Sequence, residues 1–394
     1  MNQHSALVTN GEQRSSLAVV RSLGRHGHRI LVTCHRPGSL AGASRFASEE
    51  VVVPSPLEDT AGFVNAVASL RSSRQIDVII PTTDDSLLAL LPARDRLSPA
   101  LMPVGSDQAY RSASDKALLQ SIAPRFGIAV PRQASVNSPG DLESLELVFP
   151  VVVKSSRSAS DDGSHIRRHM GARHAATANE LRAIAAETPE DSYPLLVQER
   201  IVGPGVGIFL LLWGGEEIAV FSHRRLREKP PSGGVSVYSE SIEPDADLAC
   251  RSRALLSHLG FEGVAMVEYK LHSKTGVPYL MEVNGRFWGS LQLAIDAGVD
   301  FPQLLMSAAI DGILPPKPTP IPGVRMRWWW GEVDHLLARL RQSPAELDLP
   351  ADAGSRWRAL RDFLQIRRGE RNQVFRVDDP FPALRETLNW VRRR

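Results

Sequence analysis

Four short apolar runs punctuate the first 110 or so residues, and helical or turn-like stretches separate them. Ala6-Leu-Val-Thr9, Arg29-Ile-Leu-Val-Thr33, Glu50-Val-Val-Val53 and Asp77-Val-Ile-Ile80 read as strands, and Gln13 to Arg25 and Thr60 to Leu70 read as helices. Strands this uniformly apolar have no face to give to water. Separated by helices, they predict a parallel sheet covered on both sides, an α/β unit of Rossmann type. The first turn, Thr9-Asn-Gly-Glu-Gln13, is not G-x-G-x-x-G, so the dinucleotide fingerprint is absent.

The pattern then changes. A helix capped near Ser114 or Asp115 carries Lys116 in its first turn, and Gly127 marks its stop. Asp141 to Leu147 is expected to be helical, Phe149 to Lys154 a buried strand, Ala178 to Glu187 a helix and Leu195 to Ile201 a strand. The segment Ser155 to His169 is rich in Ser, Asp, Arg and His and reads as a mobile surface loop. Val206 to Leu212 and Glu217 to Ser222 form a hairpin across Trp213-Gly-Gly215, and Arg224 to Tyr238 reads as a long basic loop. Asp245 to Leu259 is a helix, and Val264 to Asn284 a hairpin turning at Ser273-Lys-Thr-Gly276. The proline-rich 315–322 is a linker, and the remainder, with Trp328-Trp-Trp330 near its start, reads as mainly helical. The expected units are 1–112, 113–200, 201–314 and 315–394.

Composition narrows the function classes. Of 394 residues, 43% are hydrophobic and 23% charged, as in an ordinary globular protein. The longest apolar run, Val206 to Trp213, falls far short of the roughly 18 residues that a membrane span requires. The N-terminus lacks the basic and apolar regions of a signal peptide. Cys34 and Cys250 fit no metal spacing and read as reduced thiols, which predicts a cytoplasmic protein. A net charge of +2 does not suggest a nucleic-acid binder. Residues 351–394 hold 11 Arg against 6 Asp plus Glu, which reads as a solvated helical face.

The chemistry concentrates in the hairpin of 264–284. Side chains alternate along a strand, so Ala265, Val267, Tyr269 and Leu271 share a face, as do Val277, Tyr279, Met281 and Val283. The opposite face carries Glu268, Glu282 and Asn284, with Glu268 about opposite Glu282. Two adjacent carboxylates repel unless a cation or proton lies between them. Oxygen ligands without His or Cys favour a hard ion, Mg²⁺ or Mn²⁺. Arg286 offers a planar fork to a phosphate or carboxylate, while Phe287 and Trp288 are expected to pack the strand end.

Val267-Glu-Tyr-Lys270 followed by Glu282-Val-Asn-Gly-Arg286 resembles the metal-binding hairpin of the ATP-grasp superfamily. The continuation Phe287-Trp-Gly-Ser290 resembles the branch of ATP-dependent carboligases, and the likeness covers about residues 1–312 in order. It implies a Rossmann-like N-terminal domain, a two-lobed ATP-grasp fold of α+β character over 113–200 and 201–314, and a mostly helical extension. It implies that ATP phosphates are held by Lys154 and Lys116, with Lys154 and Arg286 serving catalysis. Gln198-Glu-Arg-Ile201 (Gln198, Glu199, Arg200, Ile201) would meet adenine and ribose, and Glu268, Glu282 and Asn284 would hold the metal. Arg224, Arg225, Gly233 and Gly234 would face the substrate. Two departures stand out: the flap Ser155 to Gly163 has a single glycine, and Gly285 stands where proline is frequent. The activity implied is a carboxylate–amine ligase that works through an acyl phosphate. Bicarbonate activation and a non-catalytic nucleotide-binding regulator are the alternatives. Expected partners are a small carboxylate and an amine, with no membrane and no nucleic acid, and a homodimer is left open.

Overall fold

The structure, a computed structural model, describes residues 3–163, 165–349 and 353–393. In its N-terminal sheet Ser5–Val8 lies between Arg29–Cys34 and Val78–Ile80, with Glu49–Val52 at the outer edge, all parallel. Every residue of Ser5–Val8 is buried, which is why that strand carries no polar alternation. Helices Arg14–Arg25 and Thr60–Ser73 cover the sheet, the second started by Asp59, whose carboxylate accepts from the Gly62 N–H at 2.7 Å.

A second sheet is antiparallel, in the order Gln133–Val136, Leu195–Glu199, Val151–Ser155, Arg173–Ala175. The third has seven strands: Pro278–Asn284, Gly263–Leu271, Gly205–Trp213, Glu216–Lys229, Val235–Ile242, Arg325–Arg327 and Arg371–Asn372. Its core merges with that of the N-terminal unit. Leu17, Val20 and Leu23 of the first helix share one cluster with Phe209, Phe221, Phe287 and Trp288. Trp288 is 1% exposed, with its ring 4.3 Å from Phe209 and 5.0 Å from Phe301 between centroids. It packs the strand end, as expected. No helix among the described residues is long and apolar enough to cross a membrane.

Four segments differ from expectation. Residues 141–147 are not an α-helix; a 3₁₀ turn spans Pro139–Ser144, and Leu142, Leu145 and Leu147 pack only part-buried against the core of the second sheet. The polar 155–169 stretch is not a free loop but contains a hairpin, Ala159–Asp161 with Ile166–Arg168. Its charges are met by the helical side of the cleft: Arg111 to Asp161 at 2.5 Å and Arg168 to Asp85 at 2.8 Å. Ile166 joins the core of Leu87 and Tyr110. Arg224 to Tyr238 is largely strand, because Glu216–Lys229 runs on through the arginines, each matched to an acid such as Glu240 or Glu332. The fourth difference is a bulge. Glu268 pairs with Glu282 as expected, but Tyr269 pairs with Leu280, leaving Met281 as the extra residue. Leu280 therefore enters the core at 0% exposure, and Met281 turns to the cleft.

The C-terminal segment is also more than a solvated face. Arg371 and Arg376 pair with Asp296, and Asp379 meets Arg21 at 2.8 Å with both side chains fully buried. Asp379 also accepts from the Ser44 hydroxyl at 2.7 Å and the Arg45 N–H at 2.9 Å. Removing one partner of such a pair strands the other charge. Asp379→Ala should therefore cost about 3–5 kcal/mol, read from urea unfolding against the parent chain, whereas Asp378→Ala on the exposed Arg25 pair should cost under about 1 kcal/mol.

Candidate functional site

The second and third sheets face each other across a cleft of about 520 Å³. Antiparallel pairing fixes Glu268 directly across from Glu282 on its floor. Lys116 begins helix Lys116–Ile122, which Asp115 caps, and its Nζ lies 3.3 Å from Glu282 Oε2 and 3.0 Å from Ser158 Oγ. Lys154 comes from the second sheet, and its Nζ donates to the Met281 carbonyl at 3.2 Å. The bulge has freed that carbonyl to face the cleft. Asn284 donates to Glu282 Oε1 at 3.0 Å and accepts from Arg286 at 3.2 Å. Arg286 is in turn fixed by Asp84 at 2.9 Å.

Of the residues singled out from sequence, Lys116, Lys154, Gln198, Glu199, Arg200, Ile201, Arg225, Gly233, Gly234, Glu268, Glu282, Asn284 and Arg286 all line this one cleft. Arg224 does not. It neighbours Arg225 on a strand, so it takes the other face and pairs with Glu240 at 2.5 Å. Arg225 faces inward and bridges Glu268 at 2.5 Å and Glu228 at 2.9 Å. Gln198 is spent on Gln133 at 2.6 Å and Glu199 on Arg132 at 3.1 Å.

Comparison with known proteins bears on this arrangement. Residues 191–331 match the family described as ATP-grasp in the biosynthetic pathway with Ter operon. Over that segment the chain is similar to ATP-grasp proteins. No match was found among curated proteins. Solved ATP-grasp structures share the fold at low identity. The L-amino acid ligase of Bacillus licheniformis is 18% identical, with a TM-score of 0.61 over 81% of this chain and 76% of that one. The N5-carboxyaminoimidazole synthetase of Staphylococcus aureus complexed with ADP gives 15% and 0.63, over 82% and 81%. The Campylobacter jejuni biotin carboxylase in its β,γ-ATP complex gives 14% and 0.62, over 80% and 72%.

In this cleft the two carboxyls are held unequally. Burial pushes both up. At Glu282 the Lys116 and Lys154 ammoniums outweigh burial and hold the acid low. At Glu268 burial prevails over Arg225, with the Glu282 charge adding to it, so this carboxyl is raised. Glu268 is the less neutralised of the two, and the pair's ligand atoms are all oxygens. Among the described residues no group of three His, Cys, Asp or Glu could hold a metal alone. Two carboxylates and an amide suit a cation that completes its shell from substrate phosphates and water, as Mg²⁺ does.

Several residues around the cleft escaped the sequence reading: Asp84, Glu228 and Arg14. Asp84 had a usable signal, since it follows the carboxyl end of the parallel strand Val78–Ile80, where open α/β sheets present their ligands. Lys154 is the cleft group whose state can be read directly. Burial pulls its pKa down to about 8, with Glu282 opposing and Lys116 assisting. Competitive acetylation should find Lys154 titrating near pH 8, and Glu282→Gln should move that midpoint lower. A midpoint of an ordinary lysine would contradict the cleft geometry.

Proposed function

We propose that this chain is an ATP-dependent ligase that activates a substrate carboxylate as an acyl phosphate and joins it to an amine, releasing ADP and phosphate. The observation that carries the reading is the convergence of Lys116 and Lys154 on the Glu268–Glu282 pair inside one cleft. Cations and acids in that order suit a phosphate chain laid over an acidic floor. Phosphoryl transfer needs positioning and charge neutralisation more than a covalent catalyst. A divalent cation bound by Glu268, Glu282 and Asn284 would neutralise phosphate oxygens.

Lys116 and Lys154 hold the phosphates, and Gln198 to Ile201 border the nucleotide. Arg286, kept in place by Asp84, neutralises the transferring phosphoryl group. The substrate carboxylate oxygen attacks the γ-phosphorus as the bond to the β,γ-bridging oxygen breaks, giving ADP. The amine nitrogen then attacks the acyl carbon, the acyl C–O bond breaks, and phosphate leaves carrying that oxygen while the amine loses a proton. The hairpin of 159–168, tied down by Arg111 and Arg168, covers the reacting groups and excludes water. Arg225, Gly233 and Gly234 border the substrate end.

The test is a product screen: purified protein, Mg-ATP, and pooled small carboxylic acids and amines, read by ADP release and by mass spectrometry for an amide. Lys154→Ala and Glu282→Ala should each lower turnover roughly 100- to 1,000-fold while circular dichroism stays unchanged. ADP release that requires only bicarbonate would replace the ligase reading with bicarbonate activation. Tight ATP binding without turnover in any pool would sink both.

A further inference from the structure

Past Arg286 the chain continues into Phe287-Trp-Gly-Ser290, and the N-terminal unit brings a cation to that stretch. Arg14, the first residue of helix Arg14–Arg25, lines the cleft together with Trp288, Gly289 and Ser290. Three other cleft arginines end on acids, Arg225 on Glu268 and Glu228, Arg286 on Asp84 and Arg157 on Asp115, while Arg200 ends on the Asp348 carbonyl. Arg14 ends on a neutral group. Its NH1 donates to Gln373 Oε1 at 2.6 Å, and its guanidinium lies 3.7 Å from the centroid of the Trp328 ring. Among the described residues no carboxylate comes within the 4.0 Å of an ion pair with it. Glu386 is the acid that acts on it through space, and Glu386 is engaged by the Trp328 indole N–H at 2.7 Å. The guanidinium is therefore desolvated without being neutralised, and burial pulls its pKa down to about 10.

A second buried donor on this stretch lacks an acceptor. Trp288 is 1% exposed, borders the cleft, and its Nε1–H has no hydrogen-bond partner among the described residues. A buried N–H without an acceptor is uncommon enough to require an explanation. Ser290 lines the same cleft, its hydroxyl 3.1 Å from His223 Nε2, and burial keeps that imidazole neutral, with a pKa near 3. Gly289 leaves the guanidinium edge uncovered, since a Cβ there would stand 3.1 Å from the Arg14 NH2. Gln373 fixes both sides at once, accepting from Arg14 and donating to the Gly289 carbonyl. It lies beyond the 191–331 family match, so this clamp comes from the C-terminal extension.

We propose that Arg14, the Trp288 indole N–H and the Ser290 hydroxyl form a subsite for a spectator carboxylate, one carried by a substrate in addition to the group that reacts. One fixed planar cation with flanking neutral donors matches a planar monoanion, through paired N–H···O bonds, better than a phosphate dianion. The carboxylate that attacks phosphorus has to move into bonding distance, and a guanidinium locked by Gln373 and Trp328 cannot follow it. The anion on Arg14 therefore stays put and sets which substrates are accepted. Its role in catalysis rests on the ligase reading; its binding of an anion does not.

The test uses the full chain labelled with ¹⁵N at its seven tryptophan indoles, with the Trp288 signal identified by its loss in Trp288→Phe. Titration with sodium formate, against sodium chloride at equal ionic strength, should move that signal saturably while the other indole signals hold. Arg14→Gln should abolish the response, and Arg14→Lys should weaken it, with unchanged remaining signals reporting an intact fold. No formate-specific shift, or a shift undiminished in Arg14→Gln, overturns the subsite. A shift with sodium phosphate but not formate overturns the carboxylate assignment. ATP binding is measured on the same sample, so a formate response without ATP binding condemns the ligase reading alone. Where the product screen yields a substrate pair, Arg14→Gln should raise KM for the carboxylate-bearing substrate about 100-fold and leave KM for ATP unchanged. An unchanged substrate KM overturns the specificity role.

Discussion

Two carboxylates locked across one rung of an antiparallel ladder are the constraint on which the site depends. Glu268 and Glu282 cannot move apart without breaking the backbone pairing that fixes them. Their mutual repulsion in a half-dry cleft must be met by cations, and these come from three different places. Lys116 arrives on a helix, Lys154 on the second sheet, and Arg225 on Glu216–Lys229 of the third, one strand removed from the hairpin. The electrostatic demand of one hairpin thus specifies where separate parts of the chain have to stand. Asp84 extends the same logic to the N-terminal sheet, by fixing the arginine next to the pair.

What sequence could reveal followed from local rules. The parallel sheet was legible because buried strands must be apolar throughout, and the Glu268–Glu282 pairing was legible because a short turn sets register. Met281 was misplaced because a bulge shifts the alternation by one residue, and nothing in Tyr279-Leu-Met281 signals which residue is extra. The polar 155–169 stretch reads as loop only when its charges are assumed to face water. Arg111 and Asp85, far off in sequence, supply the partners that let it fold back. Arg224 to Tyr238 failed for the same reason, since its arginines are matched by Glu240 and Glu332. Arg14 was invisible because a first-turn helix arginine is ordinary until Trp328 and Gln373 are seen around it.

The bulge also shows how packing and chemistry share one strand. Passing Leu280 to the core keeps the apolar face filled, while turning Met281 outward gives Lys154 a backbone acceptor. An unbroken ladder would have kept that carbonyl in the sheet. The lysine would then have had only carboxylates to lean on.

The buried Arg21–Asp379 pair joins residues 358 positions apart in the chain. A ribosome making about 5–20 residues per second needs roughly 20 to 70 s to cover that distance. During that interval the Arg21 guanidinium stays in water, because without a counter-ion it resists burial. The face of the first helix that receives the C-terminal segment therefore closes only after almost the whole chain has been made.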